Sequence, residues 1–192
     1  MTERTRSPGF VLVAAVSLLL LTVAAGRSLA TDGIIASSTY RPEVVGRVGV
    51  VAAGRHFAAE AGMRMLARGG NAVDAGVAAG FAAGVTEISH FGMGGEVPII
   101  LYLADRREVV VINGQGTAPA AVSADVFRGR RGIPSSGPSA GTVPAVVDAL
   151  CIALAEFGTL TLAETLAPAI ELADGFPWYD FLTLYLRPEV EK

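Results

Sequence analysis

From residue 56 the polar positions fall into a helical period and then vanish. Glu60, Arg64 and Arg68 recur every four residues and mark a wet face. Phe57, Ala61 and Met65, with Ala58, Gly62 and Leu66, form the dry side of the same helix. Gly69 and Gly70 end it, because glycine takes a left-handed C-cap without strain. Asn71 then caps a second helix, with Asp74 three residues on as the reciprocal partner of an N-x-x-D capping box. From Ala75 to Val85 that helix carries no charge and no hydrogen-bonding side chain. It has no face to give to water and must be covered on most sides. Eleven residues at about 1.5 Å each are too few to span a bilayer, so this is expected to be a core helix.

The strand pattern is shorter and more apolar. Residues 48–53 read as a strand closed by Gly54. Residues 97–103 and 108–112 read as a hairpin turning at Asp105, Arg106 and Arg107, with Pro98 confined to a strand start or an edge. Both faces of the hairpin are apolar, which predicts a sheet covered on both sides. Two more helices come after it. Thr142 is expected to cap the first, with Pro144 in its opening turn and Gly158 after its last residue, Phe157. Thr161 and Glu164 form a T-x-x-E box opening the second, over residues 162–173, where Pro168 should kink the helix or split off its first turn. Residues 175–192 carry Trp178, Tyr179, Phe181 and Tyr185, large side chains that call for cover from a further segment or a partner. The mixture is α+β.

Composition narrows the function classes. The 192 residues are 52% hydrophobic and 17% charged with a net charge of -3, enough for one domain with a real core. The slight acidity and the lack of a basic stripe argue against a nucleic-acid partner. One cysteine excludes an internal disulfide or a thiolate cluster, two histidines leave little for a zinc site, and no cofactor is expected. Residues 1–30 read as a targeting segment: Arg4 and Arg6, then the apolar run FVLVAAVSLLLLTVAA from residue 10, then Ser28-Leu29-Ala30. Cleavage after Ala30 is the favoured reading and an uncleaved membrane anchor the alternative. Either places residues 31–192 outside the cytoplasm, in the periplasm or beyond. Thr31 would become the first residue, but Thr31-Asp32-Gly33 reads as a loose polar start and not as a buried nucleophile.

Several residues invite chemistry. Residues 88–95 end in FGMGG, which fits a tight turn or a nest of inward amides for a carboxylate or oxyanion. A phosphate loop is excluded for want of the Gly-Lys-Ser/Thr ending. His90 beside it could stand in a cleft, and His56 could cap, bind a ligand or do neither. Residues 113–119, NGQGTAP, come after a strand and offer polar binding groups. Arg128, Arg130 and Arg131 read as a solvated cluster. Cys151 reads as a buried space-filling thiol, with an activated nucleophile as the weaker alternative.

The run GVVAAGRHFAAEAGMRMLARGGNAVDAGVAA, the turn FGMGGE, the loop NGQGTAP, and GTVPAVVDAL with FGTLTLAETLAPAIELADGFP resemble, in order, the γ-glutamyltransferase (glutathione hydrolase) family. The resemblance covers residues 48–177 and only the first part of the family's large subunit. It implies an N-terminal nucleophile hydrolase fold, an αββα sandwich that is incomplete in this chain. It implies a self-cleaving precursor whose small subunit begins with a threonine. That residue attacks the acyl carbonyl with its own α-amine as base, and the acyl group passes to water, an amino acid or a peptide. The expected partners are therefore the small subunit, or the missing C-terminal part of the same precursor, and a γ-glutamyl or other amide substrate. No residue of this chain matches the nucleophile, so by itself it is expected to be inactive.

Two positions depart from the family pattern. Gln115 stands where the family's loop carries an arginine that clamps the substrate α-carboxylate, and Gly116 replaces a glutamate. Gln115 can donate hydrogen bonds but brings neither charge nor a bidentate fork, so it is the one, weak, substrate-binding candidate. Glu96 stands where the family commonly has glycine, and repels an anion. These changes imply a γ-glutamyl hydrolase or acyltransferase of altered preference. The alternatives are a divergent acylase or amidase on another acyl group, a noncatalytic domain needing a partner chain, and a decayed copy.

Overall fold

A computed structural model describes residues 43–129 and 132–190; the expected targeting segment, Arg130 and Arg131 lie outside them. The chain divides into two units, Met1–Val44 and Val45–Lys192. The elements of the second unit run α1 (His56–Ala67), α2 (Ala72–Thr86), β1 (Ile99–Leu103), β2 (Glu108–Ile112), α3 (Val146–Phe157), α4 (Leu162–Asp174) and α5 (Asp180–Val190). Two 3₁₀ turns, Ala124–Phe127 and Pro138–Ala140, interrupt the long connection between β2 and α3.

The all-apolar helix α2 is the axis, as its composition requires. Its Ala75, Ala78 and Ala82 meet Ala58, Ala61 and Met65 of α1, every one of them buried. Small side chains let the two backbones close up: a Cβ on Gly62 would stand 2.8 Å from the carbonyl oxygen of Ala75. On another side Val77 and Phe81 join Val146, Leu150, Ala153 and Leu154 of α3 and Ala169 of α4 in the largest core cluster. Val97, Ile99 and Ile112 bring the hairpin onto this cluster.

Both predicted capping boxes form. Asn71 Oδ1 accepts from the amides of Val73 and Asp74 at 2.8 and 3.1 Å, and Asp74 accepts from the Asn71 amide at 2.7 Å. Thr161 and Glu164 do the same for α4. The first box extends beyond its own helix. Asp74 is fully buried and also accepts from Thr159 N (2.9 Å), Thr159 Oγ1 (2.7 Å) and Leu160 N (3.0 Å), while Asn71 Nδ2 donates to Phe157 O (2.7 Å). One cap thus clamps the start of α2 to the end of α3. Burial pushes the Asp74 carboxyl up, but the hydrogen bonds from Leu160, Thr159 and Asn71 outweigh it and hold the group below its ordinary range.

Several expectations need correction. Residues 48–53 form no strand: Val48 and Val50 face solvent, only Val51 packs inward, and among the described residues no chain pairs with them. The hairpin forms, with Ile99 opposite Ile112 and Leu103 opposite Glu108, but one face is open. Ile100 is 74% exposed, and Tyr102, Val109 and Val111 are exposed beside it, because among the described residues nothing forms a second layer there. Thr142 caps nothing. Helix α3 starts at Val146 after Ala145, since the backbone before it is held by other loops. Pro168 does not split helix α4, which continues through it with the ring buried. The aromatic tail is partly used by this chain: it forms α5, Leu182 is fully buried, and Tyr179 Oη donates to Thr86 O at 2.6 Å, while Trp178 stays 54% exposed.

Candidate functional site

Three segments that stood out in the sequence converge after β2. Asn113 Oδ1 accepts from Gln115 N at 3.3 Å, an Asx turn that bends the chain away from the strand. Gly114 O accepts from Val97 N (2.9 Å), Thr117 O from Val143 N (2.9 Å), and Gly95 O from Ala145 N (3.0 Å). The glycine turn, the NGQGTAP loop and the lead into α3 are thereby laced by main-chain bonds. Side chains are excluded from the lacing. Gly114 is buried, and a Cβ there would strike Val97 O and stand 2.8 Å from Ala149 Cβ. A Cβ on Gly116 would strike Val143 O and the Thr142 hydroxyl and stand 2.7 Å from Thr142 Cβ. The strand-leaving loop and residues 142–143 can approach this closely only because residue 116 has no side chain.

The result is a cavity of about 240 Å³ bordered by Asn113, Gln115, Thr117, Pro144, Asp148 and Ile152. Gln115 is exposed at its edge. Among the described residues Asp148 is the only charged side chain on the lining, which otherwise offers hydrogen-bonding amides.

The other candidates lie elsewhere. The glycines at 92, 94 and 95 all have negative φ, so the left-handed half of a nest is missing and the segment is a turn, closed by Gly95 N to Gly92 O at 3.0 Å. His56 is the first residue of α1, with its ring 3.9 Å from that of Phe57. His90 does stand in a cleft, between Arg55, Glu87, Ser89, Tyr179 and Phe181. Cys151 is half-buried, not buried, and borders an apolar cavity with Leu154, Leu160 and Leu162. Thr86 is buried and donates to Ala82 O. Arg128 is exposed and pairs with Asp125 at 2.8 Å. Sequence reasoning missed the reach of Asp74 to Thr159 and Leu160. The capping box identified Asp74, but nothing local signals a partner 85 residues away.

The helices, the hairpin and the laced loops define part of an α+β fold of the N-terminal nucleophile hydrolase type. The structure aligns with γ-glutamyltranspeptidase from Pseudomonas nitroreducens complexed with L-DON at a TM-score of 0.69 and 30% identity, over 77% of this chain and 45% of that one. The family model described as Gamma-glutamyltranspeptidase matches residues 58–192, and the chain belongs to that family. It is 38% identical over 136 residues to a glutathione hydrolase-like proenzyme of Bacillus subtilis, covering 70% of this chain and 26% of that protein. It is 40% identical over 145 residues to the acylase ACY 1 proenzyme of Pseudomonas sp. (strain V22), covering 68% and 25%. The chain therefore spans about a quarter of the length of the curated relatives it matches.

Proposed function

We propose that this chain is part of an exported γ-glutamyltransferase-like hydrolase or acyltransferase that cleaves γ-glutamyl or related amide bonds. The observation that carries the reading is that, in a chain of this family, residues 112–117 and 143–145 line one cavity while main-chain bonds from Gly95 and Val97 tie both segments to the glycine turn. In this reading the remainder of the same precursor supplies a threonine at the head of a small subunit. Its hydroxyl oxygen bonds to the amide carbonyl carbon, the carbon–nitrogen bond breaks, and the amine leaves with the proton taken by the nucleophile's own α-amine. Water or an amine then takes the acyl group. This chain contributes the wall that orients the acyl group, with Gln115 hydrogen-bonding to it. Export rests on the apolar run from Phe10 to Ala25 and the small residues before Thr31.

Within this class the acylase reading is favoured over a strict γ-glutamyl one. Arginine is absent at residue 115, the cavity lining bears one carboxylate and no cation among the described residues, and an acylase stands among the relatives at 40% identity. The test begins with intact masses and N-terminal sequences of the native product from its own cells. Two chains, one headed by a threonine that these 192 residues do not contain, are expected. The two-chain product should release amine from neutral acyl amides in preference to γ-glutamyl amides, and Gln115→Arg should shift the preference toward γ-glutamyl. A lone chain from about Thr31 to Lys192 without amidase activity would overturn the enzyme reading. Unchanged γ-glutamyl affinity in Gln115→Arg would remove the role given to residue 115.

A further inference from the structure

A second cleft, of about 370 Å³, shares no residue with the cavity at Gln115. Three separate places build it: Gly54 and Arg55 before α1, Glu87, Ser89 and His90 after α2, and Tyr179 and Phe181 at the entry to α5. The Tyr179 hydroxyl, bonded to Thr86 O, fixes the third wall against the second.

The side chains in it are held in place without being neutralised. The Arg55 guanidinium carbon lies 4.4 Å from the centre of the Tyr179 ring and 4.9 Å from that of Phe181. The cation is held over the two rings, and among the described residues no carboxylate pairs with its N–H groups. The Glu87 carboxylate lies against Gly54, where a Cβ would stand 3.0 Å from its carboxyl carbon. It borders the same cleft, yet it forms no ion pair with Arg55. The His90 ring stacks on Phe181 at 5.6 Å and meets the edge of Tyr185 at 4.7 Å, with Nδ1 2.8 Å from Ser89 Oγ. The cleft thus brings together an arginine held over two rings, a carboxylate with no ion pair among the described residues, and a ring wall.

We propose that this cleft binds a zwitterionic α-amino acid. Arg55 takes the carboxylate through its in-plane N–H groups, Glu87 takes the ammonium, and the Phe181 and His90 rings border the side chain. The inference is independent of the acyl chemistry at Gln115. It is tested by equilibrium dialysis of the full 192-residue chain against labelled L-phenylalanine. Saturable retention is expected. N-acetyl-L-phenylalanine, which lacks the ammonium, and L-phenylalaninamide, which lacks the carboxylate, should each bind about tenfold more weakly or worse. Arg55→Gln and Glu87→Gln should each weaken L-phenylalanine binding about tenfold. Glu87→Gln keeps the side chain's shape and removes no ion pair among the described residues, so it decides the matter should Arg55→Gln unfold. No saturable retention of L-phenylalanine, equal binding of the three probes, or unchanged affinity in Glu87→Gln would overturn the proposal.

Discussion

The Asp74 clamp and the Gln115 loop join helices and strands in opposite ways. At the clamp a buried carboxylate takes four hydrogen bonds from three residues, two of them far along the chain. At the loop the joints are main chain to main chain, glycines hold the space open, and the one distinctive side chain, Gln115, points to solvent with no partner among the described residues. A buried, fully partnered carboxylate fixes a scaffold, because removing it strands several donors at once. A laced loop with an exposed amide fixes only a backbone shape and leaves its side chain free for something that arrives later.

The largest effect should come from Asp74→Ala. It leaves the amides of Asn71, Thr159 and Leu160 without their acceptor and opens a void between α2 and α3. At roughly 1.5–3 kcal/mol per hydrogen bond to a charged group, with water recovering part, the loss should be about 3–5 kcal/mol in urea unfolding. Acid sharpens the test. The folded pKa of Asp74 lies below its unfolded value, so its stabilisation is complete above the ordinary carboxylate range, near pH 4, and fades as pH falls through the folded value. The unfolding midpoint of the native chain should drop below about pH 4, and Asp74→Asn should flatten that drop. An equal drop in both would show that the clamp is not the acid-sensitive joint.

The loop should break differently. Gly116→Glu puts a Cβ into Thr142 and Val143, so residues 142–143 must move away. Overpacking of this kind costs roughly 1–3 kcal/mol. The diagnostic is local: hydrogen exchange at the Val143 amide, bonded to Thr117 O, should quicken, while the Thr159 and Leu160 amides keep their protection. Loss of protection at both places would mean that the two regions are one cooperative unit. Unchanged exchange at Val143 would mean that the close approach at Gly116 does not hold the loop.

This contrast also explains what could be read in advance. Helices α1, α2 and α4 were legible because their signals are local: a four-residue charge period, an all-apolar run, and two capping boxes that formed as written. Thr142 misled because a cap depends on where the preceding backbone goes. Here Val143 and Ala145 give their amides to Thr117 and Gly95, and the helix starts later. The second layer expected over the hairpin is not found among the described residues for a related reason: apolar residues on a strand ask for cover without saying which residues provide it. At the candidate site the sequence supplied the three segments and the family likeness. Their lacing, the steric demand at Gly116 and the place of Asp148 on the cavity lining are tertiary facts with no local sign.

A third joint shows what an exposed charged link contributes beside the clamp. Arg64 on α1 donates through Nη1 and Nη2 to the two carboxylate oxygens of Glu171 on α4, at 2.7 and 2.8 Å. The bidentate geometry is good, and the hydrogen bond from Arg64 holds the Glu171 carboxyl below its ordinary range. Both side chains are nevertheless wet, 36% and 58% exposed, so water already solvates most of what each would lose. Glu171→Gln should therefore lower the urea midpoint far less than Asp74→Ala, and only at low ionic strength. At 1 M salt the screening length falls to about 3 Å and the native and variant midpoints should coincide. A double-mutant cycle with Arg64→Met isolates the pair from the packing of the arginine stem against α1. A coupling that survives 1 M salt and rivals the clamp would show that geometry alone, without burial, can make an ion pair a scaffold joint in this chain.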